Sequence, residues 1–125
     1  MPVVKGATAP VFELPTATFT GLAAPSRGAK ETSVWRTLVK PGAEPGPPHS
    51  FDHEEVLVAI RGRAYALLDG VRHDVAEGDA VIVPAGTLFG LGNPYDEPFE
   101  LVAALPVGAM ATMPDGEVTV PFTAR

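Results

Sequence analysis

Thirteen glycines and fourteen prolines are spread along the 125 residues, falling between short apolar runs. Proline fixes φ and removes a backbone donor, and glycine opens turn conformations, so punctuation this dense breaks the chain into short strands and tight turns. Thr32 to Lys40 stops at Pro41-Gly42, and Glu55 to Ile60 is closed by Gly62. Ala64 to Leu68 ends in Asp69-Gly70, a strong hairpin signal. Val71 to Val75, Val81 to Val83, Phe89 to Leu91 and Phe99 to Leu105 follow, each stopped by Gly, Pro or Asn-Pro, and Val118 to Phe122 is a last candidate. No stretch carries a sustained helical period with caps at both ends. Short strands with turns every ~8–12 residues predict an all-β sandwich or jelly roll. One domain over residues 1–125 is expected, with a core at about 32–106 and irregular extensions at each end.

Composition narrows the partners. Hydrophobic residues make up 46% of the chain, enough for a buried core, yet no run approaches the roughly 18 apolar residues of a membrane span. The net charge of -6 repels phosphate backbones and argues against nucleic acid. There are no cysteines, which excludes disulfides, thiolate catalysis and cysteine-bound zinc and fits a cytoplasmic protein. Met1 to Pro10 has one lysine and no apolar core, so no signal peptide is expected. A small molecule is the expected partner.

Two stretches carry more than fold class. The first is His49-Ser-Phe-Asp-His-Glu-Glu55, followed by six residues and Gly62; the second runs from Gly78 through Pro84-Ala-Gly86 and Phe89 to Asn93. Alternate strand residues share a face, so positions 49 and 51 point the same way, position 55 opens the next strand and position 89 comes from a third. With Pro41-Gly42 ahead of them, these stretches resemble the two motifs of the cupin superfamily over about Val34 to Leu105. The resemblance implies a double-stranded β-helix, or jelly-roll barrel, with an interior small-molecule pocket. It also implies metal ligands at the positions of His49, Phe51, Glu55 and Phe89. Phenylalanine cannot ligate, so the usual metal is not expected to be held tightly and no cofactor is expected. The fallback is a divalent metal held by His49, His53 and Glu55, although His53 reads as a turn residue.

Without a metal, His49 and Glu55 are expected to form an acid–base pair near neutral pH. Phe51, Phe89, Leu57, Ala59, Leu91 and Trp35 are expected to line an apolar pocket, Leu57 and Ala59 because they share parity with Glu55 and Leu91 because it shares parity with Phe89. The chemistry that fits is proton transfer beside a carbonyl: isomerisation, epimerisation or cyclisation, by analogy with metal-free cupin-like epimerases. Two other readings stand beside it, a non-catalytic ligand binder and a barrel plugged by Phe51 and Phe89. His73 and Glu54 read as solvated, Arg36 as half of a surface ion pair, Tyr65 as facing away from the interior, and Asn93 as a turn stabiliser. The apolar Phe12, Leu14 and Phe19 could extend a neighbour's sheet, so a homodimer is expected.

Overall fold

The computed structural model describes residues 2–125; of the N-terminal stretch weighed above, Met1 lies outside the described residues. Twelve strands follow in order: β1 (Val11–Glu13), β2 (Ala17–Ala23), β3 (Thr32–Val39), β4 (Ser50–Phe51), β5 (Glu55–Arg61), β6 (Arg63–Leu68), β7 (Val71–Ala76), β8 (Ala80–Val83), β9 (Phe89–Gly92), β10 (Phe99–Pro106), β11 (Ala111–Thr112) and β12 (Val118–Thr119). The helical content is three single turns, Gly6–Thr8, Pro25–Arg27 and Phe122–Ala124. A six-stranded sheet in the order β1-β2-β3-β10-β5-β8 faces two three-stranded sheets, β7-β6-β9 and β12-β11-β4, and every pairing is antiparallel. This is the jelly-roll barrel expected of the resemblance.

The barrel wall is made by strict alternation. On β3 the residues Ser33, Trp35, Thr37 and Val39 are buried, and on β10 so are Phe99, Leu101, Ala103 and Leu105. Their neighbours Val34, Arg36, Leu38, Glu100, Val102 and Ala104 are half-exposed on the other face, as a pleated strand requires. Arg36 lies 3.5 Å from Glu100 on that outer face, the surface pair anticipated for it.

Two turns show why the glycines stand where they do. Asp69 and Gly70 both have positive φ, 49° and 79°, which is what a two-residue hairpin turn of the primed type demands. Gly62 has φ 79°, and a Cβ there would stand 2.5 Å from the carbonyl oxygen of Pro98. That close approach lets β5 hand over to β6 beside the start of β10.

The terminal segments are more ordered than their composition suggests. The stretch expected to be irregular contributes β2, a full strand paired with β3 from Ala17↔Val39 to Ala23↔Val34. Its Phe19 is partly buried and packs against the core. At the other end the candidate strand Val118 to Phe122 shrinks to Val118–Thr119. Pro121 has no N–H to give a ladder, and Phe122 begins a helical turn instead.

Candidate functional site

Backbone pairing draws the two motifs together. His49 and Phe89 exchange both of their backbone hydrogen bonds: His49 N–H donates to the Phe89 carbonyl at 3.3 Å, and Phe89 N–H donates to the His49 carbonyl at 2.8 Å. Glu55, at the start of β5, is paired with Val83, the last residue of β8 before Pro84. The Pro84-Ala-Gly86 turn then docks on β4, Gly86 N–H donating to the Phe51 carbonyl at 2.8 Å. Residues far apart in the chain are thus placed around one point by sheet register.

That point is a cavity of about 520 Å³, within the range of sites that take small organic molecules. Its inner wall includes Trp35 and Thr37 from β3, Leu57 from β5 and Leu101 from β10, with Phe51 and Phe89 beside His49 and Glu55. Leu91 also lines it. The two phenylalanines therefore line the space rather than fill it.

The two ionisable groups sit in unusual company. The His49 ring stands edge-on to Phe51 (centroids 5.3 Å apart, 78° between planes) and to Phe89 (5.9 Å, 85°). Burial among carbon rings holds its pKa below the usual imidazole value of 6.5. Glu55 is 3% exposed, and its Oε1 has no hydrogen-bond partner. Burial pushes its carboxyl up to about 8. Near neutral pH both groups are uncharged, a carboxylic acid able to donate and an imidazole able to accept, the pattern of an acid–base pair set by environment.

Two sequence-based expectations are corrected here. Ala59 is buried, 3% exposed, but it packs within the core and does not border the cavity. It lies one inward position past Leu57, where the barrel is already filled. His53 does not join His49 and Glu55. Its ring is about half-exposed, and Nδ1 lies 2.7 Å from Asp52 Oδ1 at the surface. Asp52 Oδ1 also accepts the Met110 N–H at 2.7 Å, so the pair buttons the turn after β4 to the segment before β11. The His53 contact, then the Met110 N–H, holds the Asp52 carboxyl below its usual range. Among the described residues no three His, Asp or Glu side chains come together. Two donors and two carbon rings at the four family positions do not fit a tightly held metal ion.

The other singled-out residues are placed as follows. His73 and Glu54 are exposed. Tyr65 lies outside the barrel, its ring stacked under the Arg72 guanidinium at 4.1 Å and covering Gly92, where any Cβ would collide with it. Asn93, fully buried, ties its own turn: its amide donates to the Glu97 carbonyl at 2.8 Å and its Oδ1 accepts the Tyr95 N–H at 3.1 Å.

Sequence reasoning missed two parts of the site. Thr37 is 4% exposed and puts a hydroxyl-bearing side chain on the cavity wall between Trp35 and Val39; its parity with Trp35 was the available signal. The larger omission is the wall made by the terminal segments. Leu14, Thr16 and Phe19 border the cavity from one end of the chain, and Met113, Phe122 and Arg125 from the other. β11 pairs with β4 through Ala111↔Phe51, which sets the C-terminal hairpin against the first motif. Phe122 then packs on Phe12 (5.1 Å between centroids) and Phe19 (5.3 Å). Arg125 Nε–H donates to the Val120 carbonyl at 3.1 Å, and Ser26 Oγ–H donates to the Arg125 carbonyl at 2.6 Å. Phe12 and Phe19 are thus engaged within their own chain.

The family model described as "Cupin domain" matches residues 35–105, more than half of the chain. The chain is a cupin. Solved structures agree at the level of fold. This cupin is similar to the polyketide cyclase RemF from Streptomyces resistomycificus, with TM-score 0.76 and 19% identity over 98% of this chain and 86% of that one. It is similar to a sugar phosphate isomerase of the cupin superfamily from Silicibacter pomeroyi, with TM-score 0.71 and 17% identity over 90% and 81% of the two chains. It is also similar to KdgF from Halomonas sp., with TM-score 0.70 and 15% identity over 85% and 94%. No curated protein matches it. Among the described residues no helix is long and apolar enough to cross a membrane.

Proposed function

We propose that this cupin is an enzyme that moves a proton next to a carbonyl group of a small, largely apolar substrate without using a metal, as an isomerase or cyclase does. The observation that carries this reading is the pairing of a buried, orphaned Glu55 carboxyl with a neutral His49 imidazole on the wall of one apolar cavity. The His49 ring nitrogen takes a proton from the carbon beside the carbonyl. The electron pair of that C–H bond becomes a carbon–carbon double bond, the carbonyl π pair moves to oxygen, and Glu55 delivers its proton there. His49 then returns a proton to the other face of that carbon, or to the γ carbon where the enol is conjugated, while Glu55 takes back the enol O–H proton and the carbonyl reforms. In a cyclisation the enol carbon instead attacks a second carbonyl of the same molecule, His49 protonates the new alkoxide and Glu55 again takes the enol proton. Neutral partners suit this sequence, because developing charge is created and discharged between two groups on the wall of one apolar cavity. A cyclase and an isomerase among similar folds support the reaction class.

Solvent isotope exchange tests the reading before the substrate is known. In deuterated water the protein should speed exchange of the hydrogens beside the carbonyl in a panel of aryl and alkyl ketones, followed by NMR. Glu55→Gln and His49→Ala should each lower the rate by about 10²–10⁴-fold, the usual weight of a positioned acid or base. Unchanged exchange in both variants would remove His49 and Glu55 as the acid–base pair, and no acceleration by the parent protein would leave a ligand-binding cupin without this catalysis.

Two copies are proposed to pair through the outer face of the six-stranded sheet. The support is that Val58, Ile60 and Ile82 are 41%, 40% and 58% exposed on neighbouring strands, where an antiparallel sheet facing water carries polar residues.

A further inference from the structure

Five of the seven phenylalanine and tryptophan residues of the chain border the cavity: Trp35, Phe51 and Phe89 from the barrel, Phe19 and Phe122 from the terminal segments. Aromatic surface gathered from both regions onto one space favours a ligand with flat π faces of its own. Charge narrows the choice further. The only Lys or Arg among the lining residues is Arg125, and its guanidinium already donates to the Val120 carbonyl and, at 3.3 Å, to Thr119 Oγ1. The other ionisable side chains on the wall besides His49 are carboxyls, Glu55 and Glu117. Arg125 is exposed and no Lys or Arg stands on the inner wall, so a carboxylate or phosphate seated there with His49 and Glu55 would lose its water without a cation beside it, which is costly. A sugar would find its hydroxyls matched by few partners, since aromatic and aliphatic side chains make up most of the inner wall and the polar groups there are those of Trp35, Thr37, His49 and Glu55. Finally, Oε1 of Glu55 is buried without a partner. Buried polar groups are nearly always satisfied, so an unpartnered carboxyl on this wall favours a ligand that brings it a hydrogen-bonding group.

We propose that the cavity takes a flat, uncharged hydroxyaryl ketone of a few fused rings, its rings among the five aromatic side chains and its adjacent hydroxyl and carbonyl against Glu55 and His49. The hydroxyl offers a donor and the carbonyl an acceptor, which match an imidazole that accepts and a carboxyl that donates on the wall of one cavity. This inference rests on the reading of the cavity as the substrate site and names the class of molecule it selects.

Trp35 makes the test direct, because it is the single tryptophan, is 5% exposed and lies on the cavity wall. Its emission is titrated at neutral pH with a hydroxyacetonaphthone, with the matching hydroxynaphthoate and with naphthalene, corrected for absorption using free tryptophan. The ketone should quench saturably, and the carboxylate and the bare hydrocarbon should each bind about tenfold more weakly or worse. Glu55→Ala should erase the advantage of the ketone over naphthalene. Glu55→Gln, which keeps a donor and an acceptor at the same place, should retain most of it, and melting curves establish that both variants are folded. A carboxylate that binds as tightly as the ketone, or the absence of saturable quenching by all three compounds, overturns the proposal. The failures are separable. Isotope exchange on alkyl ketones with no aryl binding removes this substrate class and leaves the acid–base reading; ketone binding without exchange does the reverse.

Discussion

The strands from β3 to β10 and the two terminal segments build one cavity out of different materials. The barrel strands bring every ionisable group of its inner wall, and they hold His49, Glu55 and Phe89 by ladder hydrogen bonds. The terminal segments bring mostly shape: Leu14, Phe19, Met113 and Phe122, held by the pairing of β2 with β3 and of β11 with β4, two aromatic contacts and the hydrogen bonds around Arg125. A scaffold of this kind can keep its chemistry on the barrel strands while its specificity is altered at exposed wall positions of the ends such as Leu14, Met113 and Phe122.

The sharpest test of the barrel half is the penalty for keeping Glu55 inside it. A carboxyl raised from 4.5 to about 8 binds its proton more tightly folded than unfolded. Stability is therefore fully present below about pH 4.5, falls as pH rises toward 8 and levels above it. The loss is on the order of 5 kcal/mol at most, from ~1.4 kcal/mol per pH unit. Glu55→Gln should show no such loss, so the variant should melt well above the parent at pH 9 and close to it at pH 4. Parallel melting curves across that range would mean that water or a neighbour relieves the carboxyl, and the cavity would be wetter than its lining implies.

A matched pair of truncations compares the halves directly. Phe99 is 1% exposed at the start of β10, whereas Phe122 is 36% exposed on the terminal wall. Phe99→Ala should cost about 3–5 kcal/mol in urea unfolding. Phe122→Ala should cost about 1 kcal/mol, since half-exposed side chains leave little cavity behind, yet weaken ketone quenching of Trp35 more than it weakens the fold. Equal stability losses would show that the terminal turn belongs to the cooperative core and is no separable wall.

The smallest effect is expected on the outer face of the barrel strands. Ile60→Glu should shift the sedimentation coefficient from dimer to monomer at micromolar concentration with a stability change within about 0.5–1 kcal/mol and leave ligand quenching intact. A parent chain that sediments as a monomer removes the proposed pairing.

Much of the barrel half was legible beforehand because its signals are local. Asp69-Gly70 needs two positive φ values, Pro84 and Gly86 stop a strand and turn it, and alternation on β3 and β10 assigns inward and outward faces residue by residue. The spacing of His49, Phe51, Glu55 and Phe89 carried the convergence of the motifs. Ala59 shows where parity stops being informative: alternation says which face a residue takes, and depth along the barrel axis decides whether that face meets a cavity or packed neighbours. His53 shows the same for turns, where Asp52 and Met110 capture the side chain at the surface.

The terminal wall was not legible, and the reason is physical. Its strands are two to seven residues long, and no pattern within them names a partner. β11 becomes a strand by pairing with β4, and Phe122 finds its place against Phe12 and Phe19, more than a hundred residues away in sequence. The sequence by itself determined the strand-and-turn class, the two motifs and the loss of two metal-ligand positions, because each depends on residue type and near spacing. The tertiary structure alone decided that the phenylalanines leave an open cavity, that Glu55 Oε1 goes unpartnered and that both chain ends close around it. Those outcomes follow from packing between distant segments, which no local rule encodes.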